Sequence, residues 1–373
     1  MNLYKYSNLI VITIFALSLT APLVGMLLKL DHTQQLRENR TRAKVLELPT
    51  DRKSLGKFPH DFYAYFRDNF GFRDSLTRLN FIIRRPILQE REFNDVLFGN
   101  NGWLFYLGER EMDDSRGITH YDEETLAAWT ASLERKRQWL AAKGIRYIFV
   151  IAPNKATIYG ENLPPYFTKL HDRTGLDELV DYVRIHSSVE VLDLRHALLM
   201  AKKQERIYKK TDTHWNEYGA FIAHQEIMKT ISRWFPAKPL DTLSDYFIEK
   251  RAENGGDLSV LVGGSEFITE TGIYLVPKKA RLAREIEVNA GEKSITTWQG
   301  DVDLPRALVF RDSFFDGIMP FFSEQFQYVK YFRRHWDDSV PIASIIKDVQ
   351  PDVVIEEFME RRLKMDMGNF ILQ

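Results

Sequence analysis

Strand-like and helix-like segments alternate from Ile145 to Phe358, and this alternation limits the fold more than any other feature of the sequence. The strand readings are IRYIFVIAP (from Ile145), VEVLDL (from Val189), RALVF (from Arg306), FQYVKYF (from Phe326) and DVVIEEF (from Asp352). Between them lie GLDELVDYVRIHS, a helical stretch from about Arg195 to Gln204, an amphipathic run from Glu217 to Phe235, DGIMPFFSEQF, and a helix from Pro341 to Val349. Strands that alternate with helices predict an α/β fold: a parallel sheet with helices on both faces. A helix from Asp122 to Lys143, with Asp122 as N-cap and Gly144 as its stop, precedes the first of these strands. Upstream, VLFGNNGWLFYLGE reads as a hairpin around Asn100-Asn101-Gly102. FPHDFYAYFRDNFGFRDSLTRLNFIIRR reads as two short amphipathic packing helices broken at Gly71. Residues from Ala237 to Pro305, with Gly255-Gly256 and Gly263-Gly264, read as an irregular β excursion.

In open α/β sheets, ligands bind at the carboxyl ends of the strands. One strand end delivers Asn154 and Lys155, and another delivers Ser313. The third candidate is the loop in KKTDTHWNEYGA, Lys209 to Ala220, which carries Asp212 and His214. A serine hydroxyl needs an adjacent base, most often histidine, and a carboxylate commonly fixes the tautomer of that histidine. An Asp two residues before a His folds back onto the ring in a turn, so Asp212 is placed to orient His214. Ser313, at a strand end before a helix, would stand at the top of the sheet with helix N-terminal amides near a developing oxyanion.

Each piece also has a plain structural reading. Asp-Ser before a helix is usually a cap, Asp-x-His recurs by chance, and Asn216 is itself a helix cap. Trp215 either packs the loop or stacks on a sugar. Arg311 either pairs locally or steadies an anionic sugar. Asn154 and Lys155 either shape a loop or serve the oxyanion and the substrate. A metal site gathers three or four clustered ligands; His171, His186, His196 and His224 are scattered and neither H-x-x-x-H nor H-E-x-x-H occurs, so no metal is expected.

The chain has no cysteine, which excludes a disulfide framework and a thiol nucleophile. Its net charge is −1 and it has no long basic run interleaved with aromatics, so a nucleic-acid partner is not expected. Leu9–Leu28 is an uncharged apolar run of 20 residues, about long enough to cross a bilayer. The small-residue stretch Leu19-Thr20-Ala21 runs into Pro22, a poor cleavage site, so the run reads as an uncleaved signal anchor, with a cleaved form as the alternative. Lys29, Arg37, Arg40, Arg42 and Lys44 follow it, and by themselves they would favour the opposite orientation to one with an external domain. The expected organisation is an anchor over 1–30, a juxtamembrane linker over 31–57 and a single domain over 58–373.

TDTHWNEYGA, followed about a hundred residues later by VFRDSFF, resembles the SGNH-hydrolase-like alginate O-acetyltransferase family, the AlgJ/AlgX group. NNGWLFY, FRDNFGFRDSLTRLN and VVIEEFMERRL add to the likeness, which runs from about Leu48 to Leu363. The resemblance implies an SGNH-like (flavodoxin-like) sheet in which the His block precedes the Ser block, a permuted order. It implies an Asp212–His214–Ser313 triad that moves acetyl groups onto hydroxyls of a secreted polysaccharide. It also implies no cofactor, a membrane-bound O-acyltransferase as acetyl supplier, and an inner-membrane anchor with the domain in the periplasm. Asn154 resembles in position the oxyanion Asn of ordinary SGNH enzymes. Arg311 stands where glycine is common in the G-D-S block, which puts the turn there in question. An acetylesterase with the same triad and a non-catalytic scaffold of an export complex are the other readings.

Overall fold

The computed structural model describes residues 3–28, 43, 46–235, 239–337 and 339–364. Most of the linker over 31–57, together with Lys29, Arg37, Arg40, Arg42 and Lys44, lies outside the described residues. The chain forms two compact units, residues 1–94 with 255–268, and residues 95–254 with 269–373.

In the first unit, helix α1 (Leu3–Leu27) contains a stretch, Tyr6–Leu27, that is long and apolar enough to cross a membrane. Helix α2 (Arg52–Asn69) starts ahead of the expected Phe58 because Asp51 and Ser54 form a capping box: the Ser54 amide donates to Asp51 Oδ1 at 2.7 Å and the Asp51 amide to Ser54 Oγ at 3.0 Å. Helix α3 (Arg73–Ile82) follows the break at Gly71. Its buried Phe81 stacks on Phe267 of the returning segment at 5.7 Å between centroids.

The second unit opens with the hairpin β1 (Val96–Phe98) and β2 (Leu104–Tyr106), antiparallel as read. Then come α4 (Glu123–Ala141), capped by Asp122, β3 (Arg146–Ala152), α5 (Gly175–His186), β4 (Glu190–Asp193) and α6 (Arg195–Ala201). Helix α7 (Glu217–Ile231) is followed by a ribbon, β5 (Tyr246–Asn254) with β6 (Thr269–Pro277). The chain closes through β7 (Arg284–Asn289), β8 (Ser294–Trp298), β9 (Arg306–Phe310), β10 (Tyr328–Phe332), α8 (Ile342–Val349) and β11 (Val353–Met359).

Seven strands form one sheet in the order β4-β3-β11-β9-β10-β8-β7. The first five are parallel, as the alternation of elements predicts. The segment expected to be irregular adds β8 and β7 antiparallel at one edge, so the sheet is mixed. Side chains alternate across each strand. Tyr147, Phe149 and Ile151 join α4, α5 and α8 in one core, while Ile148, Val150 and Ala152 join α6 and α7 in the other. The stretch after Ser313 departs from the single expected helix: it is broken into short turns, Phe314–Gly317, Met319–Phe322 and Ser323–Gln325. Pro320 lacks a backbone donor, and the run is dense in Phe, Gly and Pro, which favours short turns over one regular helix.

Candidate functional site

Strands β3, β11 and β9 are parallel neighbours, so their carboxyl ends lie side by side and deliver Asn154 and Lys155, Glu360 and Arg361, and Ser313 to one edge of the sheet. The loop from Tyr208 to Trp215 closes on itself like a narrow hairpin. Tyr208 and Trp215 form an antiparallel bridge, and the Lys209 amide donates to the His214 carbonyl at 3.1 Å. Asn216 then caps α7, accepting from the Gly219 amide at 3.0 Å. Position 219 admits no side chain, because a Cβ there would lie 2.2 Å from the Ile207 carbonyl oxygen.

His214 and Ser313 meet across this edge. His214 Nε2 is 2.8 Å from Ser313 Oγ, and His214 Nδ1 is 2.7 Å from Asp212 Oδ1. The same Asp212 oxygen accepts the His214 backbone amide at 3.0 Å, the turn expected of Asp-x-His. A carboxylate only accepts, so Nδ1 carries the ring proton and Nε2 is left to accept the Ser313 hydroxyl. The imidazole is partly open to solvent, at 28% side-chain exposure, so a substrate can reach it.

Four other candidate residues are placed differently from their substrate-facing readings. Trp215 is buried, donates its indole N–H to the Phe314 carbonyl at 3.0 Å and meets the Phe314 ring edge-on. It fastens the residue after the serine to the His214 loop and offers no face to a sugar. Arg311 is buried, pairs with Asp316 at 2.6 Å and donates to the Asp312 carbonyl, so it is a local brace rather than an exposed anion grip. Position 311 is not among the residues with positive φ, so the turn does not require glycine there. Asn154 is fully buried: its amide nitrogen reaches Asp114 at 3.4 Å and its oxygen accepts from the Arg361 backbone at 3.3 Å. The acids beside it are both displaced upward, burial lifting Asp114 to about 7 and Glu360 to about 8.

Lys155 is the fourth. Its ammonium is buried and donates to the carbonyls of Asp212 at 2.6 Å and Lys210 at 3.2 Å. Lysine there holds the Asp212 loop by its carbonyls. Glu270, on an inward position of β6, holds the same loop by its amides, accepting from Lys210 N at 2.8 Å and Thr211 N at 3.0 Å while pairing with Arg206. Burial works against the charge on Glu270, but the bonds from Thr211, Lys210 and Arg206 outweigh it and keep the carboxyl below its usual range. Glu270 has only one trace in the sequence, an acid at a core-facing step of an alternating strand. Lys155→Met is therefore expected to lower kcat by about 10- to 100-fold, since small misplacements of a reacting group carry costs of that order. KM should change little and Lys155→Arg should recover part of the loss. Steady-state kinetics on an acetyl ester would check this.

Behind the serine, Asp312 accepts from the Phe314 amide at 2.8 Å and from the Met359 amide at 2.6 Å, and its own amide donates to Glu357 at 3.0 Å. Burial, and then the Asp312 charge, push the Glu357 carboxyl well above the ordinary range. Because Asp312 occupies the Phe314 amide, the adjacent Ser313 amide is the open one; among the described residues it has no hydrogen-bond partner.

A sequence model described as "SGNH hydrolase-like domain, acetyltransferase AlgX" matches residues 96–299, more than half of the chain. The chain is 26% identical over 227 residues to a probable alginate O-acetylase AlgJ of Pseudomonas fluorescens, covering 57% of this chain and 52% of the relative. It thus spans about half the length of that relative. It is also 26% identical over 345 residues to the probable alginate O-acetylase AlgJ of Pseudomonas syringae pv. tomato, covering 84% of this chain and 81% of the relative. Among solved structures, a DHHW family protein from Eubacterium siraeum superposes with a TM-score of 0.55 at 16% identity, covering 76% of this chain and 98% of that one, a likeness of fold.

Proposed function

The chain belongs to the SGNH hydrolase-like AlgX acetyltransferase family, and on that premise we propose that it is a polysaccharide O-acetyltransferase working through an acetyl-serine at Ser313. The observation that carries the proposal is the continuous line of hydrogen bonds from Asp212 through His214 to Ser313, 2.7 and 2.8 Å long. His214 Nε2 takes the hydroxyl proton as Ser313 Oγ bonds to the acetyl carbonyl carbon. The open Ser313 amide donates to the oxyanion. The proton on His214 then passes to the leaving group of the donor, and the ester on Ser313 remains. A sugar hydroxyl enters, gives its proton to His214 and attacks the ester; Ser313 leaves and takes that proton back. Asp212 keeps the proton on Nδ1 and stabilises the imidazolium in both halves. Every group this sequence of steps needs is a side chain or amide of the chain itself.

The acceptor is a secreted polysaccharide, alginate or a related exopolysaccharide; the alginate reading follows from the names of the relatives. The acetyl donor is delivered by a membrane-bound O-acyltransferase. Helix α1 anchors the protein in the inner membrane, with the second unit in the periplasm, and its apolar stretch Tyr6–Leu27 supports this. The test is to incubate the purified protein with an acetyl ester and de-acetylated alginate and to weigh the glycan. Acetylated glycan is expected. Free acetate with unchanged glycan would replace the transferase by an esterase, and neither product would leave a scaffold.

A further inference from the structure

Helices α2 and α3 carry apolar faces that the first unit does not cover. Along α2 and its C-cap, Phe58, Phe62, Phe66 and Phe70 recur every fourth residue, and neighbouring rings meet tilted, stacked and edge-on in turn, with centroids 6.2, 6.0 and 5.3 Å apart. Phe62 is 47% exposed and Tyr63, next to it, 64%. The other side of the helix carries Lys57 and Asp61. On α3 the inward face holds Phe81 against Gly264, where an added Cβ would lie 2.6 Å from the ring. The opposite face exposes Leu79 at 51% and Ile83, just beyond it, at 40%. Apolar surface left in water costs about 25 cal/mol per Å², and contiguous patches of this kind mark a partner or a membrane.

The position of the bend between the two helices identifies the occupant. Gly71 packs directly on the end of α1: a Cβ at Gly71 would fall 2.2 Å from the Pro22 carbonyl oxygen and 2.6 Å from the Met26 amide. Phe72 lies against Gly25 in the same way, at 2.9 Å from an added Cβ. The α2–α3 bend is thus level with the last turns of the stretch Tyr6–Leu27. Where that stretch crosses a bilayer, its last turns stand at the boundary of hydrocarbon and headgroups. A helix with aromatics on one face and charges on the other lies flat in that boundary, its apolar face a few ångströms deep.

We propose that α2 and α3 form an interfacial platform, their Phe62/Tyr63/Phe66 and Leu79/Ile83 faces set into the lipid leaflet in which α1 ends. The inference rests on the reading of α1 as a membrane anchor. It gives the first unit a task that a single span lacks, since a lone span is free to tilt and a flat pair of helices fixes its tilt and depth.

The absence of cysteine in the chain makes the test direct. Single cysteines replace Tyr63, Leu79 and Ile83, with Ile14 as the reporter for the span and Val288, 65% exposed on β7, as the aqueous control. Each full-length variant is labelled with a polarity-sensitive fluorophore and reconstituted in phosphatidylcholine–phosphatidylglycerol vesicles, with lipids brominated near the headgroup or deep in the chain. At 63, 79 and 83, quenching by the shallow bromines should be several-fold stronger than at 288, and at 14 the deep bromines should dominate. If 63, 79 and 83 behave like 288 while 14 is quenched by lipid, the platform is wrong and the anchor stands. If 14 is not quenched by lipid, the anchor reading fails and the platform with it. Shielding at 79 and 83 from lipid and iodide alike, growing with protein density, would mean that a second copy covers the faces and would overturn the proposal.

Discussion

Ser313→Ala will lower the rate of acetyl transfer by about 10⁴- to 10⁶-fold, the range seen when a triad nucleophile is removed, and will leave the fold intact. The hydroxyl hydrogen-bonds to His214 Nε2 at 2.8 Å. The imidazole on the other side is partly exposed, so water replaces the lost partner. The expected cost in stability is that of a single accessible hydrogen bond, about 1 kcal/mol. Burial nearby is unaffected: Phe314 and Phe315 are fully buried and their packing does not use the hydroxyl. Two measurements together check the claim. The variant should melt within a few degrees of the parent, and mass spectrometry after incubation with an acetyl ester should find acetyl on Ser313 of the parent and none at position 313 of the variant. A variant that still acetylates glycan within tenfold of the parent would remove Ser313 from the chemistry.

How far the sequence reveals this site differs from residue to residue. The α/β alternation is legible because buried strands and amphipathic helices have different periods, and the carboxyl-end rule then brings three strand ends forward. Asp212 and His214 are legible for a local reason: two residues of spacing closes an Asx-type turn by itself, whatever the rest of the chain does. The contact between His214 and Ser313 is long-range. It depends on β9 lying beside β11, and β11 beside β3, an order that no local pattern encodes.

Residues that act through backbone groups are the least legible. Lys155 looks like a substrate cation in sequence because its three-dimensional partners are carbonyls, which have no letter of their own. Trp215 looks like a sugar platform until its indole N–H is seen on the Phe314 carbonyl. Glu356 and Glu357 carry a visible signal, two adjacent acids inside an otherwise apolar strand. In such a strand both faces are buried, so each acid must have a partner of its own. Glu356 pairs with Lys136 at 2.8 Å on one face, and Glu357 meets Asp312 on the other. The mixed edge of the sheet was hidden for a different reason. Strand β7 is exposed along most of its length, and the buried positions of β8 are Ser294, Thr296 and Thr297, so neither shows a clear pattern of apolar residues.

Asp212→Asn separates the chemistry of the site from its shape, and it should lower kcat/KM by about 10⁴-fold, as the same change does in serine-protease triads. Asparagine has the size of aspartate and can still accept the His214 amide through its oxygen, the bond that closes the turn. What it lacks is the negative charge at Oδ1, which holds the proton on Nδ1, 2.7 Å away, and stabilises the imidazolium. Turned the other way, at the cost of the bond from the His214 amide, the side-chain NH₂ donates to Nδ1. The ring proton then moves to Nε2, the nitrogen that faces Ser313 Oγ at 2.8 Å. An imidazole that already carries a proton on Nε2 cannot take one from the serine, so the hydroxyl stays unactivated although every heavy atom is in place. KM should change little, because no substrate contact is lost, and the melting temperature should hold within a few degrees. The loss should exceed that from Lys155→Met, which loosens the loop but leaves the correct tautomer available. Proton NMR of the Nδ1–H resonance in the parent and its absence in the variant would report the tautomer independently of rate. If Asp212→Asn keeps activity within tenfold of the parent while Ser313→Ala does not, then Asp212 shapes the loop, and the proton on His214 is held by something other than this carboxylate.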